Sequence, residues 1–371
     1  MNSKRFIIPT DFLVLMKPLE HVHWYIGSNC NLDCSFCFKP LELPRGLPKQ
    51  LEELARNLLD NDVKKVTLTG GEPLLVKGLE KTLAVLKSKD VYVSLHTNGI
   101  LLDDNKISGL SGLVDDIALP LDSLNRKAQA ELRGEGFIPV VDNFGRIAER
   151  IKNQNIKLGV HTVFTALNRR QIPGLYKFLD NVGFDYWRIY EYNSELVANH
   201  AQKKGLDEPF QRSQREAEHF YEKGSIDCLL AYFLLEEEKM KKLSDARVQF
   251  VAKRDTTLPY AFLDNSGNIR YYMRFSSRER PVLGNILTEG FGVIEKRLKE
   301  VDEKAFEYDD KAQEDWIAFL MDQPIWARLY NGNFDFEETE IIKPRYLNRV
   351  LELERLFRRR EYGKESLKTQ L

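Results

Sequence analysis

The sequence predicts an α/β fold built around a parallel sheet. Short runs of apolar and β-branched residues alternate with stretches whose apolar residues recur at helical spacing, which is the pattern of successive strand–helix units. Six such strands follow one another between residues 23 and 192. With 371 residues, of which 43% are hydrophobic and 30% charged, the chain is long enough for one large domain and a smaller one.

The first half of this region begins with an aromatic run, His23–Ile26, which predicts the first strand. Leucines at helical spacing then predict a helix over Pro48–Asn61, and the β-branched run Val66–Thr69 predicts the second strand. Leu79–Lys87 repeats the helical spacing, and Val91–His96 repeats the strand pattern. These segments have the lengths expected of two strand–helix units and the strand that follows them.

The second half continues the alternation. Asp116–Leu121 predicts the fourth strand and Val140–Gln154 the helix after it. Lys157–Phe164 predicts the fifth strand, Ile172–Val182 a further helix, and Tyr186–Tyr192 the sixth strand. Because parallel strands need a helical crossover between them, this order favours a parallel sheet over an antiparallel one.

Three cysteines lie within eight residues, at Cys30, Cys34 and Cys37. Cysteine thiolates are the usual ligands of iron–sulfur clusters, and three of them leave one iron of a four-iron cluster open to a small molecule. A zinc knuckle or a disulfide pair is the alternative, but a structural zinc site takes four ligands. The remaining cysteine, Cys228, stands far away in the sequence. The spacing therefore favours a cluster over zinc.

The stretch from Cys30 to Cys37, with the aromatic Phe36 before the last cysteine, resembles the CxxxCxxC signature of the radical S-adenosylmethionine superfamily. The resemblance implies that Cys30, Cys34 and Cys37 hold a [4Fe–4S] cluster beside Phe36, and that S-adenosylmethionine chelates the fourth iron. It also implies cleavage of S-adenosylmethionine to a 5′-deoxyadenosyl radical, which abstracts hydrogen from a substrate, while the protein supplies binding and orientation. The six strand–helix units then fit the partial (β/α)6 barrel of this superfamily.

Gly70, Gly71, Glu72 and Pro73 directly follow the second predicted strand. This segment resembles the GGEP motif of the same superfamily, which implies that the backbone and Glu72 hold the amino group of S-adenosylmethionine. The chemistry agrees, because adjacent glycines let the backbone approach a ligand closely and a carboxylate pairs with an ammonium group. Taken alone, Gly-Gly before Pro is most often only a turn.

Polar residues at the ends of the later strands are the remaining site candidates, since ligands of parallel barrels gather at the carboxyl ends of strands. Thr97 and Asn98 follow the third strand and resemble the superfamily's segment at the ribose and methionine of S-adenosylmethionine. Ser123 follows the fourth strand, with Arg133 a little further on, and Arg188 belongs to the sixth. For each of them, the alternative is a helix cap or a solvated turn.

The predicted domains are a barrel core at 18–193, a helical segment at 194–258, a hairpin-containing cap at 259–295 and a helical extension at 296–371. The hairpin has Asp264–Gly267 as a tight turn between two strands. It resembles the SPASM and twitch extensions of superfamily members. Met273 stands where that resemblance expects a cluster cysteine, so no auxiliary cluster is predicted.

The run Tyr272–Phe275 and the arginines after it resemble a segment of viperin-like enzymes that closes over a nucleoside triphosphate. The cations that suit this role are Arg274, Arg278, Arg280, Lys39 and Arg188. A nucleotide is therefore the first substrate hypothesis. Radical modification of a peptide or small metabolite is the second. A non-catalytic iron–sulfur scaffold or sensor is the third, although a sensor has no use for the GGEP motif.

The amino-acid composition limits the kinds of partner and compartment expected for this protein. The balance of 55 basic and 56 acidic residues gives no sign of nucleic-acid binding. No apolar run approaches the length of a membrane span, and the N-terminus lacks the pattern of a secretory signal. Four cysteines in 371 residues argue against a disulfide scaffold and favour the reducing cytoplasm, which suits an oxygen-sensitive cluster. The resemblance also implies an electron donor such as flavodoxin or ferredoxin.

Overall fold

The computed structural model describes residues 19–37, 47–165, 167–168, 170–191, 240, 244–251, 260–272, 282–298 and 300. Several residues named above lie outside these ranges, namely Lys39, Cys228, Met273, Arg274, Arg278 and Arg280. The same holds for most of the predicted helical segment at 194–258 and for nearly all of the extension at 296–371.

A ten-stranded sheet forms the centre of the described fold, in the order β10-β9-β8-β1-β2-β3-β4-β5-β6-β7. The strands are β1 (His21–Tyr25), β2 (Lys65–Thr69), β3 (Tyr92–His96), β4 (Asp116–Pro120), β5 (Lys157–Phe164), β6 (Tyr186–Glu191), β7 (Val248–Val251), β8 (Tyr260–Leu263), β9 (Asn268–Tyr272) and β10 (Val282–Asn285). Strands β1 to β8 pair in parallel, whereas β9 and β10 are antiparallel to their neighbours. The predicted α/β fold with a parallel sheet is confirmed.

The helices are α1 (Pro48–Asp60), α2 (Leu79–Leu86), α3 (Asp104–Gly109), α4 (Arg126–Arg133), α5 (Ile138–Asp142), α6 (Phe144–Asn153), α7 (Ile172–Val182) and α8 (residues 291–298). The prediction of a single helix over Val140–Gln154 is wrong. The structure has two helices that are interrupted at Asn143, whose side-chain amide donates to the Pro139 carbonyl at 2.9 Å. Helices α3 and α4 are not predicted from the sequence. Their N-cap residues Asp103 and Asn125, whose side chains accept hydrogen bonds from the first turn, are the local signal for them. None of the helices in the described ranges has the length and hydrophobicity of a membrane span.

Strand β7 corrects the helical prediction for residues 194–258. Val248–Val251 pairs in parallel with β6, in the register Trp187↔Val248 to Tyr190↔Val251. A strand edge presents unpaired amides and carbonyls, and a β-branched segment satisfies them better than a helix does. This pairing joins residues 61 positions apart, such as Arg188 and Gln249, and therefore has no local signal in the sequence.

The two faces of the parallel sheet differ in polarity because successive strand residues point to opposite sides. The outer face is fully buried against the helices, as Trp24, Leu68 and Trp187 illustrate, each with no exposed surface. The other face, here called the inner face, carries half-buried polar residues such as His96 and Arg188. Burying one large apolar side chain stabilises a fold by roughly 1.5–3 kcal/mol, so the outer face holds the sheet together and frees the inner face for ligands.

The predicted hairpin is present as β8 and β9, and it extends the sheet beside β1 rather than standing apart from it. Its turn is closed by Asp264, whose carboxylate accepts from the backbone of Ser266 and from Arg270. The adjacent Asn265 donates to the Ile26 carbonyl at 2.7 Å and accepts from the Trp24 indole at 3.2 Å. The hairpin therefore fixes the end of β1, where the cysteine loop begins.

Candidate functional site

The cysteine loop leaves the carboxyl end of β1 and lies against the loop that follows β2. Cys30, Cys34 and Cys37 form no disulfide bond with one another, and each is half-buried. Three backbone hydrogen bonds join the two loops, from Ile26 to Thr69 at 2.9 Å, from Gly71 to Gly27 at 2.7 Å and from Glu72 to Asn29 at 2.7 Å. The GGEP segment is thus attached directly to the chain that carries the cysteines.

Gly70 and Gly71 are required by this attachment. A Cβ atom on Gly70 would lie 2.3 Å from the Gly27 carbonyl oxygen, and one on Gly71 would lie 2.1 Å from that of Asn29. Gly70 also has a φ of 138°, which side chains disfavour. From sequence, the glycines were expected to admit a ligand, and the structure shows that they first admit the backbone of the cysteine loop.

Glu72 connects the end of β2 to the end of β3. Its carboxylate is 1% exposed and accepts three hydrogen bonds, from the Thr97 hydroxyl at 2.6 Å, the Asn98 amide at 2.7 Å and the Leu74 amide at 3.0 Å. Burial raises the pKa of Glu72, and these hydrogen bonds oppose the rise. The Glu72 carboxylate is thus already occupied by hydrogen-bond donors of this chain. A ligand at this segment would therefore contact mainly the backbone atoms of the glycines and Pro73.

Asn98 brings the end of β3 to the first cysteine. Its side-chain amide donates to Asn31 at 2.7 Å and lies 3.8 Å from the Cys30 sulfur. Asn31 was not singled out from sequence, although it follows Cys30 directly. Thr97 and Asn98, both predicted site residues, therefore lie beside the GGEP segment and the cysteine loop.

The second cysteine lies against the end of α4. The Arg133 guanidinium is 3.9 Å from the Cys34 sulfur and 4.8 Å from the centre of the Phe36 ring. The same guanidinium pairs with the fully buried Asp122, at 2.5 Å from Nε and 3.3 Å from Nη2. Burial raises the pKa of the Cys34 thiol to about 11, and the Arg133 charge opposes this shift.

Ser123 is fully buried in a network beneath this edge. Its hydroxyl donates to Gln171 at 2.5 Å, and its backbone amide donates to Gln129 at 2.7 Å. The neighbouring Asn168 amide donates to the Asp122 carbonyl at 2.9 Å. These contacts position the loop after β4, and cofactor binding by Ser123 stays a prediction.

The inner face of the sheet carries a cluster of imidazoles and cations. The rings of His96 and His161 meet edge to face, 4.6 Å apart, and neither Nε2 atom has a hydrogen-bond partner in the described part of the chain, although both are buried. Burial, then the charges of Arg188 and Lys65, lowers the pKa of His96 to about 3. Arg188 stacks 4.8 Å over Tyr186. Of these residues only Arg188 was predicted, yet their alternation with buried residues was a usable signal.

One carboxylate lies at the opposite end of this inner face. Asp116 accepts from the Ser94 and Tyr186 hydroxyls, both at 2.8 Å. Lys65 and Lys157 lie over the Tyr92 ring, at 5.2 and 5.4 Å from its centre. Burial lowers the pKa of Lys65 to about 8, which leaves it mostly charged at neutral pH. The described inner face thus has more positive than negative charge.

Comparisons with known proteins agree with this geometry. The family model described as Radical SAM superfamily matches residues 24–179. A probable GTP 3′,8-cyclase of Saccharolobus islandicus is 30% identical over 223 residues, which cover 57% of this chain and 67% of that protein. An S-adenosylmethionine-dependent nucleotide dehydratase of Lacinutrix mariniflava is 26% identical over 187 residues, covering 47% of this chain and 39% of that one. The chain spans little more than half the length, 56% and 58%, of two further GTP 3′,8-cyclase relatives.

A solved structure is similar in fold. Streptococcus suis SuiB bound to its precursor peptide SuiA has a TM-score of 0.54 and 17% identity, with 74% of this chain and 63% of that one covered. The cofactors of the superfamily are a [4Fe–4S] cluster and S-adenosylmethionine. Three thiols on one loop, beside a backbone segment free of side chains, fit that pair. The family model matches residues 24–179, and the chain covers two thirds of the Saccharolobus islandicus protein at 30% identity. The chain therefore belongs to the radical S-adenosylmethionine superfamily.

Proposed function

We propose that this protein is a radical S-adenosylmethionine enzyme that abstracts hydrogen from a nucleotide. Cys30, Cys34 and Cys37 would hold a [4Fe–4S] cluster, and S-adenosylmethionine would complete its open iron. When bound, this pair supplies the 5′-deoxyadenosyl radical. The protein's own residues bind and orient the reacting groups and keep water away from them.

The contacts around the cysteine loop support roles for the other predicted residues. The backbone of Gly70 and Gly71 packs on the cysteine loop, and its carbonyl oxygens would accept hydrogen bonds from the amino group of S-adenosylmethionine, while Glu72 and Pro73 hold that backbone in place. Thr97 and Asn98 extend the same surface toward Cys30. Phe36, whose ring packs against the Arg133 guanidinium, would form part of the wall of the adenine site, and Ser123 positions the loop after β4.

The observation that carries the nucleotide proposal is the positive inner face. Arg188 lies on this face of β6, and Lys65 and Lys157, at the amino ends of β2 and β5, add to its positive charge, which Asp116 offsets only in part. Phosphate groups satisfy such a surface, because guanidinium and ammonium groups bind phosphate oxygens strongly. Relatives named for nucleotide substrates agree with an anionic ligand. The peptide hypothesis has only a fold likeness in its support.

The proposal extends to partners and compartment. Reduction of the cluster needs a one-electron donor, for which flavodoxin or ferredoxin is suitable. A reducing cytoplasm preserves both the cluster and its thiols.

The test uses anaerobically reconstituted protein in thermal unfolding with S-adenosylmethionine present. Nucleoside triphosphates are expected to raise the free energy of unfolding by about 2.7 kcal/mol at a concentration of 100 times Kd. The matching nucleosides without phosphate should change it little. Arg188→Gln should lose the triphosphate effect, and Arg150→Gln, an exposed cation on α6, should keep it. Release of 5′-deoxyadenosine with the active nucleotide completes the test.

Two outcomes contradict the proposal separately. If S-adenosylmethionine stabilises the protein but no triphosphate does, the nucleotide substrate is wrong and the enzyme class stands. If the reconstituted protein shows no four-iron absorption, the enzyme class itself is wrong.

A further inference from the structure

Among the described residues near the cysteine loop, Arg133 is a cation held by a buried carboxylate. It is the last residue of α4, its side chain is 11% exposed, and its partner Asp122 has no exposed surface. Asp122 is itself fixed by Gln129, which donates at 3.1 Å, and by the Val163 amide, which donates at 2.9 Å. The carboxylate therefore holds the guanidinium in one orientation.

The remaining contacts of Arg133 aim it at the cysteine loop. The guanidinium lies 4.8 Å from the Phe36 ring centre and 5.4 Å from that of Phe137. One nitrogen, Nη1, is 3.9 Å from the Cys34 sulfur. Ser35 ties the loop to the same helix end, since its amide and hydroxyl both donate to the Leu132 carbonyl, at 3.0 and 3.2 Å. The cysteine loop and the guanidinium are therefore both attached to the carboxyl end of α4.

We propose that Arg133, oriented by Asp122, is a positioning residue that sets the reduction potential of the cluster through its charged N–H group at the Cys34 sulfur. The proposal rests on the proposed function, in which Cys34 is a cluster ligand. Hydrogen bonds to the sulfurs and the local charge are among the factors that set the potential of iron–sulfur clusters. Taking up one electron adds negative charge, so a nearby cation stabilises the reduced cluster more than the oxidised one.

Asp122 allows a second test, in which the expected shift of the reduction potential has the opposite sign. Its negative charge offsets part of the Arg133 field at the cluster, since the two groups are in direct contact. Removing the cation and removing the anion should therefore shift the potential in opposite directions. A residue that only supports the fold has no reason to produce opposite shifts.

The experiment measures the midpoint potential of the cluster, by anaerobic titration with the EPR signal of the reduced form, in the absence of S-adenosylmethionine. Arg133→Gln is expected to disfavour reduction at least tenfold, which is about 59 mV for one electron. Asp122→Asn should shift the potential upward, and Arg133→Lys should fall between Arg133→Gln and the parent. The matched control is Arg126→Gln, an exposed arginine on the same helix, which should leave the potential unchanged.

The proposal is overturned if Arg133→Gln retains a full cluster at the parent potential, or if the glutamine and asparagine variants shift it in the same direction. Where Asp122→Asn fails to fold, the comparison of Arg133→Lys with Arg133→Gln decides the matter, and equal potentials overturn the proposal. Loss of the cluster in both Arg133 variants assigns the residue to loading alone and also overturns it. A parent protein that binds no cluster contradicts the proposed function instead.

Discussion

Replacing Gly71 by alanine tests the junction between the GGEP segment and the cysteine loop. The new Cβ would lie 2.1 Å from the Asn29 carbonyl oxygen, and this neighbour is backbone, which cannot rotate away. The loops must separate, which endangers the 2.7 Å hydrogen bonds from Gly71 to Gly27 and from Glu72 to Asn29. Overpacking typically costs 1–3 kcal/mol and each hydrogen bond about 1 kcal/mol, so a loss of about 3 kcal/mol is expected.

Urea unfolding followed by circular dichroism measures this loss, and iron content per chain reports the effect on the site. The matched control is Gly145→Ala in α6, where a Cβ meets nothing within 4 Å and alanine is the better helix former by about 1 kcal/mol. The control should be as stable as the parent or more so. If Gly71→Ala unfolds at the parent midpoint and binds iron normally, the two loops are not packed as described here.

Three further predictions concern the inner face, the hairpin and the cysteines. His96 has a pKa lowered to about 3 by burial, so the unfolded chain binds a proton that the folded one does not, and the parent loses stability as the pH falls from about 6.5 toward 3. His96→Gln should flatten this loss by about 1–2 kcal/mol between pH 6.5 and 5 in urea unfolding, and equal slopes would refute the assignment. Asn265→Ala removes two buried hydrogen bonds and should cost about 2–3 kcal/mol, measured against the exposed Asn61→Ala; an unchanged midpoint contradicts it. The triple alanine variant of the cysteine loop should bind no iron or sulfide, whereas Cys228→Ala should bind both, and iron retained in the triple variant would refute the ligand assignment.

Local patterns predicted most of the sheet because each strand carries its own signal. Lys157–Phe164 and Ile172–Val182 have the predicted bounds, since a β-branched run and a helical apolar stripe are complete within their own residues. The sequence predicts helix around Val248–Val251, whereas the structure has a strand there, because β6 offers this segment an unpaired edge. Propensity is a weak guide where pairing decides the outcome.

The sequence by itself determined the superfamily, the six strands from β1 to β6 and the candidate cluster ligands, because each strand pattern, the cysteine triplet and the GGEP segment are short and contiguous. Only the tertiary structure decided what surrounds them. Arg133 reaches Cys34 across 99 positions, and His96 meets His161 because β3 and β5 flank one short strand. Such contacts depend on which strands are neighbours and which face each side chain shares, and no local pattern carries that information.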